Sequence, residues 1–300
     1  MKHLNMNTDE IETIFTEIGL SSSNGLHYKE RLKKHRQIFD FISHIEKAVK
    51  RLSTKRTLVL LDCACGRSYL SFVANHYLTN VMGRDVRFIG IDYNEHVIEQ
   101  SRQAAKKLGF NNMTFICEDI FKVNLDTKPD IVYSLHACNM ATDMTIAKGL
   151  VEQANYIMTV SCCQHHVRSH MKKHPLGAIT RHGVYKERVA DMLSDSMRAL
   201  VLEMYGYQSR IFDYVPENAT PKNVMVRAQK GQKIDRKVAL AESQYKDLKE
   251  LFNIEPKLLE YIDHANACKK EVVHEVNKSD VIMFKGNTEK RENQYVQSAQ

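Results

Sequence analysis

Three acidic residues, each placed just after a short apolar run, are the first chemically suggestive feature of this sequence. Thr57 to Leu61 leads into Asp62-Cys63-Ala64-Cys65-Gly66-Arg67-Ser68-Tyr69, a turn built mostly of small residues. Such a turn lets a ligand approach the backbone, and Gly66 supplies permissive dihedrals. Arg87 to Ile91 leads into Asp92-Tyr93, where a carboxylate can accept hydrogen bonds from both hydroxyls of a ribose. Met113 to Ile116 leads into Cys117-Glu118-Asp119-Ile120. There Asp119 could receive an adenine amino group while Ile120 packs on the ring. An Asp after a strand is often only a cap or turn former. Three in this order on successive strands point to a nucleoside-bearing ligand. A dinucleotide fingerprint G-x-G-x-x-G is absent, since Ala64 and Tyr69 hold the first and third glycine positions, and there is no phosphate loop of the G-x-x-x-x-G-K type.

A second group lies further along. Leu135, His136, Cys138 and Asp143 follow one apolar run, and Cys162, Cys163, Gln164 and His165 follow another. His136 is the leading candidate for a general base, because imidazole titrates near neutral pH. Asp143 is expected to orient it, or alternatively to cap a helix, and His165 is a second candidate. Zinc ligation by the clustered thiols and imidazoles is disfavoured, because adjacent cysteines cannot easily face one ion and no C-x-x-C pair exists; no metal is expected. A covalent thiol would need a low pKa and exposure, and small buried cysteines lining a pocket are the commoner case.

These residues need an alternating scaffold, and the periodicity supplies one. Strand candidates at 57–61, 87–91, 113–116, 130–135 and 156–161 alternate with helical stretches at 68–78, 94–108, 141–154 and 185–204. That pattern predicts a parallel sheet with helices on both faces. Two last strands, 207–215 and 223–228, have no helix between them and predict an antiparallel hairpin at one edge. Residues 1–55 read as a helical N-terminal extension, 56–230 as the ligand-binding domain, 231–285 as a helical appendage and 286–300 as a mobile tail. The loop before the basic helix is expected at Ser21 to Gly25.

Composition narrows the class of protein. The chain has 300 residues, 43% hydrophobic and 26% charged, with 5 prolines and 12 glycines, which is ordinary globular usage. No stretch approaches the roughly 20 apolar residues of a membrane span, so no membrane partner is expected. Seven cysteines, two of them adjacent, argue against a disulfide framework. Four acidic residues stand where a secretion signal would be apolar. A cytoplasmic location is the expectation. The net charge of +7 is unevenly spread. Residues 29–56 hold 10 Lys and Arg against 3 Asp and Glu; residues 165–188 hold 6 against 1, with five histidines. Two basic patches on a mildly acidic body suit phosphate backbones, or else are solvated helix faces.

Several motifs resemble a known family. Asp62 to Phe72, Ser134-Leu135-His136-Ala137-Cys138 with Ala141-Thr142-Asp143, and Cys162-Cys163-Gln164-His165 resemble a group of class I S-adenosylmethionine-dependent methyltransferases. The group includes bacterial stand-alone proteins and the methyltransferase domain fused to a glutathione-transferase C-terminal-like region. Further matches are His182-Gly183, Glu187-Arg188, Asp195, Arg198-Ala199, Gly206-Tyr207 and Thr220-Pro221-Lys222-Asn223. A shorter likeness links the His–Cys, Ala-Thr-Asp and Cys-Cys-x-His pattern to eukaryotic acceptor-stem tRNA 2′-O-methyltransferases. Asn139, Ser161 and Ala64 depart from the usual residues at their positions.

The resemblance implies a Rossmann-like α/β fold with a mostly parallel seven-stranded sheet and a C-terminal antiparallel hairpin. It implies S-adenosyl-L-methionine as cofactor, held by Asp62, Cys63, Ala64, Cys65, Gly66, Ser68, Tyr69, Asp92, Tyr93, Asp119, Ile120, Leu135 and His136. His136, Asp143 and His165 would then serve methyl transfer. With the two basic patches, the expected acceptor is RNA, tRNA or rRNA. A protein or small-molecule acceptor, or a catalytically silent cofactor-binding scaffold, are the alternatives.

Overall fold

A computed structural model of the chain describes residues 7–21, 28–162, 164–171 and 173–270. Most of the expected 21–25 loop, Cys163, Lys172 and the expected tail at 286–300 lie outside the described residues.

Seven strands form one sheet: β1 (Leu58–Cys63), β2 (Val86–Asp92), β3 (Met113–Cys117), β4 (Ile131–Ala137), β5 (Tyr156–Ser161), β6 (Tyr207–Asp213) and β7 (Val224–Lys230). Their order is β3-β2-β1-β4-β5-β7-β6. β1 to β5 run parallel, and β7 runs antiparallel to both β5 and β6. The expected Rossmann-like sheet with its terminal hairpin is present, with β7 inserted beside β5 and β6 on the edge. The chain leaves β1 towards β2 and β3, then returns to place β4 on the other side of β1. Ligands in open α/β sheets bind at the carboxyl ends of the strands flanking such a reversal. Here those ends carry Asp62 and His136.

Helices cover both faces, and the alternation of side chains along β1 shows why. Leu58 and Leu60 belong to the core under one layer, whereas Val59, Leu61 and Cys63 belong to the other. The first layer is made by α1 (Thr8–Glu17), α2 (Tyr28–Val49), α3 (Tyr69–His76) and α4 (Glu95–Leu108). The second holds α5 (Asn139–Val151), α8 (Gly183–Met204) and α9 (Asp235–Phe252), with the helical residues 258–270 packed beside them. Two short helices, α6 (His165–His170) and α7 (Gly177–Thr180), fill the connection from β5 to α8.

The 1–55 region contains two helices, and both contribute to the core. Ile38, Phe41, Ile42 and Ile45 of α2 are buried with Leu58, Leu60 and Tyr133 of the sheet, as their helical spacing demands. Gly109 closes α4 in the left-handed conformation, as its position after the last apolar residue predicts.

Candidate active site at the carboxyl end of the sheet

The turn after β1 is held by carboxylates on both sides. Asp62 is buried, and its carboxylate accepts hydrogen bonds from Ser68 Oγ at 3.0 Å and from Ser71 Oγ. Ser71 Oγ also meets Tyr133 OH at 2.6 Å. Burial pushes the Asp62 pKa up to about 7 in spite of the two serine bonds, and the nearby Asp92 charge adds to the rise. Asp92 stands at the end of β2, partly exposed. One of its oxygens accepts the Gly66 N–H at 2.8 Å and the other the Asn94 N–H at 2.9 Å. Each oxygen keeps lone-pair capacity for a ligand.

Between the two carboxylates the backbone is left-handed at three positions: Ala64 (φ 55°), Gly66 (φ 53°) and Ser68 (φ 53°). Glycine would be the ordinary choice at all three, and the serine is secured by its bond to Asp62. A Cβ on Gly66 would meet nothing within 4 Å, so the space over the turn is open. Tyr69 opens α3, and the Lys34 ammonium of α2 lies 5.7 Å from its ring centroid. Cys63 has no exposed surface, and burial pushes its thiol up to about 12. Cys65 is half-buried, and burial raises its pKa too. Neither thiol is poised as a nucleophile.

Beyond β2 and β3, Tyr93 is 63% exposed and its hydroxyl donates to Asp119 Oδ2 at 2.9 Å. The other Asp119 oxygen accepts the Phe121 N–H at 2.7 Å. Ile120 corrects the sequence expectation. It is 2% exposed and packs with Val59, Leu61 and Ile91, so it offers almost no surface to a ring. The exposed aromatic surface here belongs to Tyr93.

The end of β4 carries a bulge. Leu135 pairs with Val160 and Ala137 with Ser161, leaving His136 as the extra residue at φ 58°. A left-handed histidine between two strand residues is strained and belongs to the class of conformations that cluster at functional sites. His136 is half-buried, and burial lowers its pKa, which keeps it neutral at pH 7. Its Nε2 lies 3.0 Å from Gln37 Oε1 of α2. Gln37 in turn donates from Nε2 to the Ala219 carbonyl at 3.3 Å, in the β6–β7 connection.

Asp143 does not orient His136. It lies on α5, where it accepts from Arg198 Nε at 2.6 Å. Arg198 is buried, and donates also to Asp195 at 3.0 Å and to Gln164 at 3.1 Å. Ser161 joins this network through Gln164 at 2.6 Å and Asp195 at 3.3 Å. Asp143 therefore belongs to a buried ion cluster that ties α5 and α8 to the end of β5. It does not cap α5 either, whose N-cap is Cys138. His165 opens α6 and is exposed; among the described residues no hydrogen bond joins it to His136. Among the described residues no group of three or more His, Cys, Asp or Glu is arranged to hold a metal ion.

Gln37 and Ser71 are the residues at this end of the sheet to which the sequence assigned no role; Lys34 lies in the basic stretch 29–56 expected to meet phosphates, and Arg198 stands among the family-matching positions with no role given. For Ser71 a signal existed: its spacing from Ser68 puts both hydroxyls on the first turn of α3, facing the strand just left.

A family model described as a methyltransferase domain matches residues 33–170, from within α2 to the end of α6. The Glutathione S-transferase C-terminal domain-containing protein of Bos taurus is 25% identical over 195 residues, covering 56% of this chain and 29% of that protein. The chain thus spans less than a third of the curated relative it matches. Among solved structures it is similar to magnesium protoporphyrin IX methyltransferase from Synechocystis PCC 6803 with bound SAH, at 16% identity and TM-score 0.45, over 74% of this chain and 94% of that one. It is also similar to a SAM dependent methyltransferase from Aquifex aeolicus, at 16% identity and TM-score 0.39, over 61% and 86%. The residues matched by the methyltransferase-domain model hold β1 to β5 and the turns after them, the part of the chain that carries Asp62, Asp92, Asp119 and His136.

Proposed function

We propose that this domain methylates RNA, with His136 as the base that accepts the acceptor's proton and with α2 as a phosphate-binding wall of the cleft. The observation that carries this reading is where α2 lies. Lys34 covers Tyr69 beside the cofactor turn, and Gln37, one helical turn on, touches His136. The basic helix therefore forms a side of the site. Lys33 and Arg36 are exposed on the same helix, opposite its buried Ile38, Phe41 and Ile42. A second basic surface follows β5, where Arg168, Lys173, Arg181 and Arg188 are exposed.

The residues present suit the cofactor. The open space over Gly66 admits it against bare backbone, and the spare lone pairs of Asp92 are placed for ribose hydroxyls. Tyr93 and Asp119 offer an aromatic face with an adjoining acceptor for an adenine. When bound, S-adenosylmethionine supplies an electrophilic methyl group on a sulfonium. The chain's own part is to hold the acceptor in line and take up its proton at His136. Free thiols at Cys63, Cys65, Cys117, Cys138 and Cys268 favour a reducing compartment such as the cytoplasm.

RNA binding over a salt series tests the reading. Each neutralised phosphate adds about 0.7 to 0.9 to the slope of log affinity against log salt. Four contacts give a slope of about −3, and reversing Lys33, Lys34 and Arg36 to Glu should remove about 2 of it. Labelled methyl transfer to bulk RNA should fall in parallel. A slope near zero in the wild type, or methylation of protein in place of RNA in the same extract, overturns the RNA assignment.

A further inference from the structure

We infer that Gln37 is a positioning residue that fixes the tautomer of His136, so that the imidazole meets the acceptor through an unprotonated Nδ1. This rests on the reading of His136 as the base and adds the residue that sets it up.

The Ala219 carbonyl, the Gln37 amide and the His136 ring admit only one consistent proton arrangement. The Ala219 carbonyl can only accept, so the amide of Gln37 must turn its nitrogen towards it, at 3.3 Å. That orientation leaves Gln37 Oε1 facing His136 Nε2 at 3.0 Å. A carboxamide oxygen can only accept, so Nε2 must carry a hydrogen. A neutral imidazole has one N–H, and Nδ1 is therefore the atom with the free pair. Among the described residues no hydrogen bond is made to Nδ1. Burial, which disfavours the imidazolium, keeps the ring in this neutral form.

The alternative orienting group is absent from the place it would need to occupy. Asp143 is instead held by Arg198 Nε at 2.6 Å, in the cluster that also holds Asp195 and Gln164. A neutral amide differs from a carboxylate in one useful way. It fixes ring orientation and tautomer without making the ring more basic, so the base stays unprotonated at pH 7 and its conjugate acid readily returns the proton to water. In the step itself, the proton of an acceptor N–H or O–H passes to Nδ1 and its electron pair stays on the acceptor atom. The ring becomes an imidazolium with Nε2–H still on Gln37 Oε1.

Gln37 also explains why α2 is tied to the β6–β7 connection. One side chain joins α2, the β4 bulge and the Ala219 loop, and it braces the strained His136 through Nε2.

The tautomer is read by ¹⁵N NMR of the histidine rings in the 300-residue chain at pH 7.5, with the His136 signals assigned by their loss in His136→Gln. The expected result is a protonated Nε2 and a bare Nδ1, collapsing to a mixture of tautomers in Gln37→Leu. A protonated Nδ1 in the wild type, or an unchanged spectrum in Gln37→Leu, overturns the inference. Neither outcome depends on turnover, so it is separate from the test of His136 as base: His136→Ala with full activity would sink that reading and leave the tautomer result standing. The kinetic readout uses Gln37→Glu, which keeps size and places a carboxylate on Nε2. It should raise the acid limb of the pH profile of kcat/KM by about one unit or more, with cofactor affinity within about twofold. A merely structural role would lower activity equally at every pH, and that result too would overturn the inference.

Discussion

Cofactor binding should drive a proton off Asp62. The free protein buries this carboxyl almost completely, with two serine hydroxyls donating to it, and its pKa is nonetheless pushed up to about 7. At pH 7 about half the molecules therefore carry the neutral acid. S-adenosylmethionine brings a sulfonium, an ammonium and one carboxylate, a net positive charge beside the turn that Asp62 supports. A nearby cation favours the ionised acid. If it returns the pKa to about 5, binding at pH 7 releases about half a proton, and the two-unit shift is worth about 2.7 kcal/mol of coupling. Working the two ionisation fractions through, affinity should fall about twentyfold between pH 7.5 and pH 5.5.

Calorimetry of cofactor binding in two buffers of different ionisation enthalpy reads the proton count directly. Asp62→Asn, nearly isosteric and unable to ionise, should abolish the release and flatten the pH dependence. A buffer-independent enthalpy in the wild type would refute the reasoning, as would a release that survives in Asp62→Asn. The sign also has a consequence for the free protein. With the folded pKa raised above the unfolded value of 3.8, this group's stabilisation is complete below that value and is lost as pH rises through about 7. The cofactor should therefore protect against heat more strongly at pH 7.5 than at pH 5.5.

Three other outcomes follow from the same structure. Ala64→Gly removes a left-handed non-glycine residue costing about 1–2 kcal/mol and adds about 0.5–1 kcal/mol of unfolded-chain entropy, so unfolding should show a gain of about 0 to 1.5 kcal/mol; a lower melting temperature would contradict the left-handed turn. Arg198→Met strands the half-buried Asp143 and the buried Asp195 carboxylates and should cost about 3 kcal/mol in denaturant unfolding, whereas a neutral result would dissolve the ion cluster as a structural element. His44 is held down to about 4 by burial and by Lys47 and Arg227, below its unfolded value of 6.5, so its stabilisation is lost as pH falls through that window; the loss is at most about 3 kcal/mol, and His44→Gln should shallow the acid limb of a stability–pH curve.

The sheet and the cofactor end were legible in the sequence because their signals are local. An apolar run followed by Asp and a turn places Asp62, Asp92 and Asp119 at strand ends whatever the rest of the chain does. What escaped was the identity of partners far apart in sequence. Asp143 is seven residues from His136, and that nearness suggested a pair. The bulge at His136 and the start of α5 instead send the two side chains different ways, and Arg198 of α8 takes the carboxylate. Gln37 meets His136 across 99 residues, a contact set by how α2 lies on the sheet. Ile120 was misread for a different reason. Its place beside Asp119 suggested packing on a ligand's ring, but the turn begun by the Asp119 bond to Phe121 N–H rolls it into the core.

The distribution of backbone strain separates function from architecture in this molecule. Among the described residues, five other than glycine have positive φ: Ala64, Ser68, His136, Gln153 and Asn253. Gln153 and Asn253 stand at the carboxyl termini of α5 and α9, where a left-handed residue commonly closes a helix and needs no other reason. Ala64, Ser68 and His136 have no such excuse. They lie just beyond or at the ends of β1 and β4, on either side of the point where the sheet order reverses. Strain of this kind persists only when its surroundings enforce it. Asp62 enforces it at Ser68, Asp92 holds the adjoining Gly66, and Gln37 enforces it at His136. Asp62, Asp92 and Gln37 thus brace the unusual backbone at the ends of β1 and β4, and through Gln37 the helix α2, although outside the alternating βα units, takes part in that bracing.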